Sequence, residues 1–373
     1  NDAAILAANR ALDAAQHDTL RASFHATAAV GFANKRCWIS AENRIRTALE
    51  MSPNNPQVLV AQARLLLEAD QRIKARQVYE HMEAIETPWA KANAHWGLSH
   101  VAYLMGDFHQ ARQLSELALA FSDELVLPLY MLGQIALAQQ DLKYLEHVVA
   151  AIEHRSPQAE GLGYLKADLT RLHDHMAAMA DPEHQRQRCR LKAFPTLIQR
   201  RDYCGPSTVE LVLRYWRGTP GLTNDQIAES VKFPQSGTPI YRMREFFHLV
   251  GFDTVRPLAP VDKLKRLIDA GYPAIVQQEF ANSSHVAVVI GYDDVNRVIE
   301  LQDPMTHVVT STPYEEFDHL RRNYLNSAIV AFPRAQEHEH MLARMNVFDN
   351  QVLVWTDQAV LEIDQGQLER ASE

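Results

Sequence analysis

Between about residues 20 and 180, apolar residues recur every three or four positions with few β-branched runs, the period of amphipathic helices. Small residues mark a longer period. Ala29, Ala63, Ser99, Gly133 and Ala167 are separated by 34, 36, 34 and 34 positions, and Ala41, Ala75, Ala111 and Leu145 each follow a member of that series by 12. Pro53 and Pro157 stand another 12 residues on, where a helix must stop. The stretches "GDFHQA" at 106–111 and "QDLKYL" at 140–145 mark turns between paired helices. After "DPEHQRQRCR" (181–190), which reads as a polar linker, the pattern changes. Helix-type stretches come first: "STVELVLRYW", then "TNDQIAESV" with a capping-box start at Thr223 and Gln226, then "YRMREFFHLVG" and "VDKLKRLIDAG", each closed by a glycine suited to a C-cap. Short β-branched runs follow, "PAIVQQEF", "HVAVVIGYD", "VIELQDP" and "SAIVAFP", with a helix from about Tyr314 to Tyr324 before the last. Helices followed by an antiparallel sheet make an α+β layout rather than alternating βαβ units.

The period in the first half resembles the tetratricopeptide repeat, a helix-turn-helix of about 34 residues whose small positions let paired helices approach closely. The resemblance covers about residues 20–180; Leu145 and Met179, where small residues are usual, depart from it. It implies a right-handed solenoid whose concave face binds a peptide or a protein partner, with stacking of the helices on a neighbouring domain as the alternative. The pattern returns at the C-terminus. In "WTDQAVLEIDQGQLERASE", Ala359 and Ala371 are again 12 apart with Gly366 between them, and "GQLERA" echoes "GDFHQA". A terminal repeat needs a polar cap, so the natural chain is expected to continue beyond Glu373. The chain lacks an initiator Met, so a processed or excised product is expected. The expected domains are a helical repeat domain at 1–183, an α+β domain at 190–335 and a helical segment resembling a further repeat at 336–373.

Composition narrows the classes. At 373 residues, 47% apolar and 22% charged, the chain is long enough for two or three domains with real cores and is not disordered. A net charge of −9 with no basic block gives a nucleic acid backbone little to bind. Cys37, Cys189 and Cys204, odd in number and widely spaced, fit neither a disulfide framework nor a four-ligand zinc site; a reducing, cytoplasmic compartment is expected. No stretch of 18 apolar residues reads as a membrane span, and the N-terminus lacks the regions of a secretory signal. "HDH" (173–175) and "HEH" (338–340) place histidines at i and i+2, which do not share a helix face, so they read as solvated surface rather than metal sites. "REFFHLVGF" reads as core.

Candidate chemistry gathers in "RDYCGPSTVELVLRYW" (201–216). A thiol at a helix N-terminus meets the positive end of the macrodipole and free backbone N–H groups, which favour thiolate. Free cysteine is also commonly buried and inert, so position alone leaves both readings of Cys204 open. A cysteine nucleophile further needs a histidine as proton acceptor and a group to orient it. His285 opens one strand and Asp303 ends the next, which places both at one edge of an antiparallel pair, facing the Cys204 helix. Asp303 before Pro304 also reads as a turn former. His248 and His319 fall in expected helices, and His307 follows Asp303 too closely to be oriented by it. Gln199 offers a side-chain amide, with the Cys204 N–H, to a developing oxyanion. Cys37 and Cys189 read as incidental.

"QRRDYCGPSTVELVLRYW", "GYPAIVQQEFANSSHVAVVIGYDD" and "IELQDPMT" resemble the papain-like cysteine peptidases of the bacteriocin-processing, double-glycine-leader type, over about residues 194–333. The resemblance implies a papain-like α+β domain with Cys204 as nucleophile, His285 as general base and then acid, Asp303 as orienting carboxylate and Gln199 as oxyanion donor. The family usually places that glutamine six residues before the cysteine; here the separation is five. The expected protein is a tetratricopeptide-type solenoid followed by a papain-like peptidase domain, with helical repeat resuming at the C-terminus. It acts on a peptide or protein and requires no metal or organic cofactor. A papain-like deamidase, transglutaminase or acyltransferase, and a non-catalytic peptide-binding scaffold, are the alternatives.

Overall fold

The computed structural model describes residues 2–35, 37–219, 221–233, 237–280 and 283–364. Gly366 and Ala371 of the C-terminal echo, and Ala281 and Asn282 before the His285 strand, lie outside the described residues. The chain divides into two units, Asn1–Asp174 and His175–Glu373.

The first unit is helical: α1 (Asp2–Ala14), α2 (Asp18–Asn34), α3 (Trp38–Met51), α4 (Pro56–Glu68), α5 (Arg72–Glu83), α6 (Pro88–Leu104), α7 (Phe108–Phe121), α8 (Leu127–Gln139), α9 (Leu142–Arg155) and the start of α10 (Leu162–Ala180). The repeat seen in the sequence is a repeat of helix starts and close crossings. Asp107 and Asp141 cap α7 and α9 in the same way, each carboxylate accepting the N–H three residues on, and Pro53 and Pro157 each lie just past a helix end. Ala29, Ala63, Ser99, Ala41, Ala75, Ala111 and Leu145 are all fully buried. The two series touch: the Ser99 hydroxyl donates to the Ala111 carbonyl at 2.7 Å. Ala167 departs from the pattern. It is exposed, and α10 buries Leu162, Leu165 and Leu172 instead, with Leu165 filling the space over Gly133.

In the second unit, the stretch expected as a polar linker folds. Asp181 caps α11 (Pro182–Arg186), and β1 (Arg188–Arg190) pairs with a central strand. There follow α12 (Cys204–Arg217), α13 (Asn224–Val231), α14 (Ile240–Leu249), β2 (Phe252–Val255), α15 (Val261–Asp269), β3 (Ala274–Phe280), β4 (Ser283–Asp293), β5 (Val298–Gln302), β6 (Thr310–Pro313), α16 (Tyr314–Arg321), β7 (Ala328–Pro333), α17 (Gln336–Arg344) and α18 (Gln351–Asp364). The expected capping box of Thr223 and Gln226 starts α13. The sheet is antiparallel throughout, in the order β2-β7-β3-β4-β5-β6, with β1 also on β4. Its core joins Val209, Leu211, Val212 and Leu213 of α12 to Val286, Val288 and Val289 of β4 and Val330 of β7. Buried Glu300 on β5 is paired with both Arg188 and Arg190, so β1 supplies the two charges that make this carboxylate tolerable inside. The C-terminal helices are tied to the same unit: Arg244 of α14 meets Asp349 and Asp357, and Arg256 also meets Asp357. No helix among the described residues is long and apolar enough to cross a membrane.

The crossing of α6 and α7 yields a direct test. Ala111→Leu inserts three carbons where Ser99 bonds to the Ala111 carbonyl, an overpacking that costs about 1–3 kcal/mol and lowers the thermal midpoint of the first unit. An unchanged midpoint by calorimetry contradicts close packing at this position.

Candidate active site

The segment before α12 turns sharply. Asp202 takes a left-handed conformation (φ 58°), and Tyr203 then stands as N-cap, its carbonyl accepting the Ser207 N–H at 2.9 Å. Cys204, Gly205 and Pro206 fill the first turn, and proline has no N–H, so the donors that α12 leaves over at its start are those of Cys204 and Gly205. Gly205 is required by packing: a Cβ there would lie 2.4 Å from the Cβ of Thr238. The helix is fixed on the sheet by its apolar face and by Thr208, one turn beyond Cys204, whose hydroxyl reaches the Val286 carbonyl at 3.4 Å. Val286 follows His285, so this contact draws the thiol end of α12 to the start of β4.

His285, 7% exposed, stands opposite Gln278 of β3. Its Nε2 lies 2.8 Å from Oδ1 of Asp303, immediately past β5, and the ring also hydrogen-bonds to Cys204. Burial works against the imidazolium, but the hydrogen bonds and charges of Asp303 and Cys204 outweigh it and lift His285 from its usual 6.5 to about 9. Asp303 is held in turn. Its Oδ1 also accepts the Met305 N–H at 2.8 Å, and its carbonyl accepts the Thr306 N–H at 3.1 Å. Cys204 is half-buried at the edge of the core.

The structure thus brings Cys204, His285 and Asp303 into one hydrogen-bonded chain. Gln199 is brought beside it through the main chain, its N–H donating to the Pro304 carbonyl at 2.7 Å, while its Oε1 is buried with no hydrogen-bond partner among the described residues. Two of the rival histidines are engaged elsewhere: His307 lies 3.3 Å from the Thr196 hydroxyl, and His248 meets Thr254 and Asp253. Cys37 is exposed in the first unit, and Cys189 sits on β1, where burial and Asp269 push its thiol up. His338 of "HEH" bonds the Tyr272 hydroxyl at 2.8 Å. Two residues with structural parts here escaped the sequence reading. Thr238 gave no signal, being remote from the motif it packs on; Gln302 gave a faint one, a polar residue directly before Asp303.

Residues 185–329 match the Peptidase_C39 like family. Over these residues, all within the second unit, the chain is similar to that family. Among solved structures, the peptidase domain of Streptococcus ComA, a bi-functional ABC transporter involved in a quorum-sensing pathway, is 23% identical. That match spans 38% of this chain and 99% of that one, with a TM-score of 0.33. A double glycine motif protease from an AMS/PCAT transporter, solved with its leader peptide, is 19% identical over 39% of this chain and 95% of its own, at 0.31. Pseudomonas aeruginosa PilF is 17% identical over 48% and 86% respectively, at 0.36. No curated protein matches the chain.

The charge on His285 has a readable consequence. An anionic alkylating agent is drawn to a sulfur beside imidazolium, and a neutral one is not. His285 carries that charge below about 9 and loses it as pH rises through that value, so the ratio of iodoacetate to iodoacetamide labelling at Cys204 falls there. In His285→Ala the fall disappears. A flat ratio in the unaltered protein would show that no imidazolium faces this thiol.

Proposed function

We propose that this protein is a cysteine peptidase that cleaves a peptide or protein through attack by Cys204. The observation that carries this reading is the continuous hydrogen-bonded chain from Cys204 through His285 to Asp303, within a domain that matches a peptidase family. In the reaction, the thiol proton passes to His285, Sγ adds to the scissile carbonyl carbon, and the oxyanion meets the Cys204 N–H and the Gln199 amide. His285 then gives its proton to the departing amine, leaving a thioester. Water, losing a proton to His285, adds to the thioester and releases acid and thiol. Asp303 holds the ring so that it serves the sulfur throughout and offsets the imidazolium charge. The helical repeats recruit the substrate or a partner, supplying binding energy away from the reacting bond that orients the carbonyl.

A defined peptide library, with products read by mass spectrometry, tests the reaction. Cleavage is expected, and both Cys204→Ala and His285→Ala are expected to remove it; Asp303→Asn lowers kcat/KM by several orders of magnitude through loss of ring orientation, about 10⁴-fold in the serine-protease precedent. The alkaline limb of the profile falls near 9, where His285 ceases to be the acid for the leaving group. A library in which glutamine side chains turn to glutamate with chains intact would assign a deamidase instead.

A further inference from the structure

We infer that Gln302 is a positioning residue for the site, acting as a staple on the turn that carries Asp303; the inference rests on the peptidase reading above. Gln302 ends β5 with 1% exposure. Its Nε2 donates to two carbonyls of the following turn, those of Thr306 at 3.0 Å and Asp303 at 3.3 Å. Reversing the amide would set its oxygen against both carbonyls, so the orientation is fixed by chemistry. Its Oε1 is buried with no hydrogen-bond partner among the described residues.

A half-satisfied amide inside a protein is a poor stabiliser, since burying an unpaired carbonyl offsets what the N–H groups gain. An apolar side chain would fill the same place at less cost, so what Gln302 contributes is the grip of its donor on residues 303–306. That turn does three things at once. It presents Oδ1 of Asp303 to His285, it supplies the Met305 N–H that fixes the same oxygen, and it offers the Pro304 carbonyl on which the Gln199 main chain docks. The His307–Thr196 contact ties the turn to the Gln199 segment a second time. One side chain on β5 therefore sets the relation of the orienting carboxylate to the imidazole and of the Gln199 segment to both.

The test uses the full chain and the iodoacetate to iodoacetamide ratio at Cys204, which reads the charge on His285. Gln302→Met keeps the size and removes the donor. With Asp303 loosened, the fall in the ratio moves from about 9 toward 6.5, and cleavage of a library substrate drops by about 100-fold, the scale of an ångström-sized misplacement, with KM little changed. Gln302→Asn keeps the amide but falls short of both carbonyls, and moves the fall in the same direction; it serves if the Met variant does not fold. A folded variant whose ratio still falls near 9 overturns the staple and leaves the peptidase reading standing. An unaltered protein with no fall at all overturns both.

Discussion

The seating of α12 on the start of β4 is the contact on which the site depends. Four buried side chains, Val209, Leu211, Val212 and Leu213, fix the helix on the sheet, and the Thr208 to Val286 hydrogen bond sets its height. Apolar burial supplies the energy, at about 25 cal/mol per Å², but it is non-directional; the hydrogen bond and the Gly205 to Thr238 approach give the register. With that register, the end of α12 that bears Cys204 meets the strand end that bears His285. A helix slid by one turn would leave the same residues in the same order without the contact.

Polar groups follow from this seating rather than cause it. His285 is charged because two partners offset its burial, and both partners are placed by backbone. Cys204 is placed by the N-terminus of α12. Asp303 is placed by the β4–β5 pairing, in which Val288 lies opposite Gln302, so that the residue after β5 comes beside the first residues of β4. The turn beyond Asp303 then closes on itself through the Met305 and Thr306 N–H groups.

Much of this was legible in the chain. A period of 34 to 36 residues shows in small side chains because each must pass under a neighbouring helix, and fully buried Ala63, Ala75 and Ala111 show that it does. The four long strands of the second unit announce themselves as β-branched runs. The three short ones, β1, β2 and β6, do not: with three or four residues each, they are made by pairing to distant strands and carry no local period. The same gap hid the polar interior of β5. In "VIELQ", alternation assigns Ile299 and Leu301 to the core and Glu300 and Gln302 to solvent, yet all four are buried. Arg188 and Arg190, from the stretch that reads as a linker, cover Glu300, and the turn after Asp303 covers Gln302. Sequence pattern reports the side chain's own preference; it does not report what another segment brings.

The distinctive claim of the Cys204, His285 and Asp303 chain is that substrate becomes covalently attached to one sulfur. Intact-protein mass spectrometry after rapid mixing with a cleaved peptide and quenching in acid observes that species directly. The account predicts an acyl adduct on Cys204 alone, formed in step with the first product and absent in Cys204→Ser. Full-rate product formation by Cys204→Ser, or an adduct on Cys37 or Cys189 with Cys204 unmodified, would contradict it.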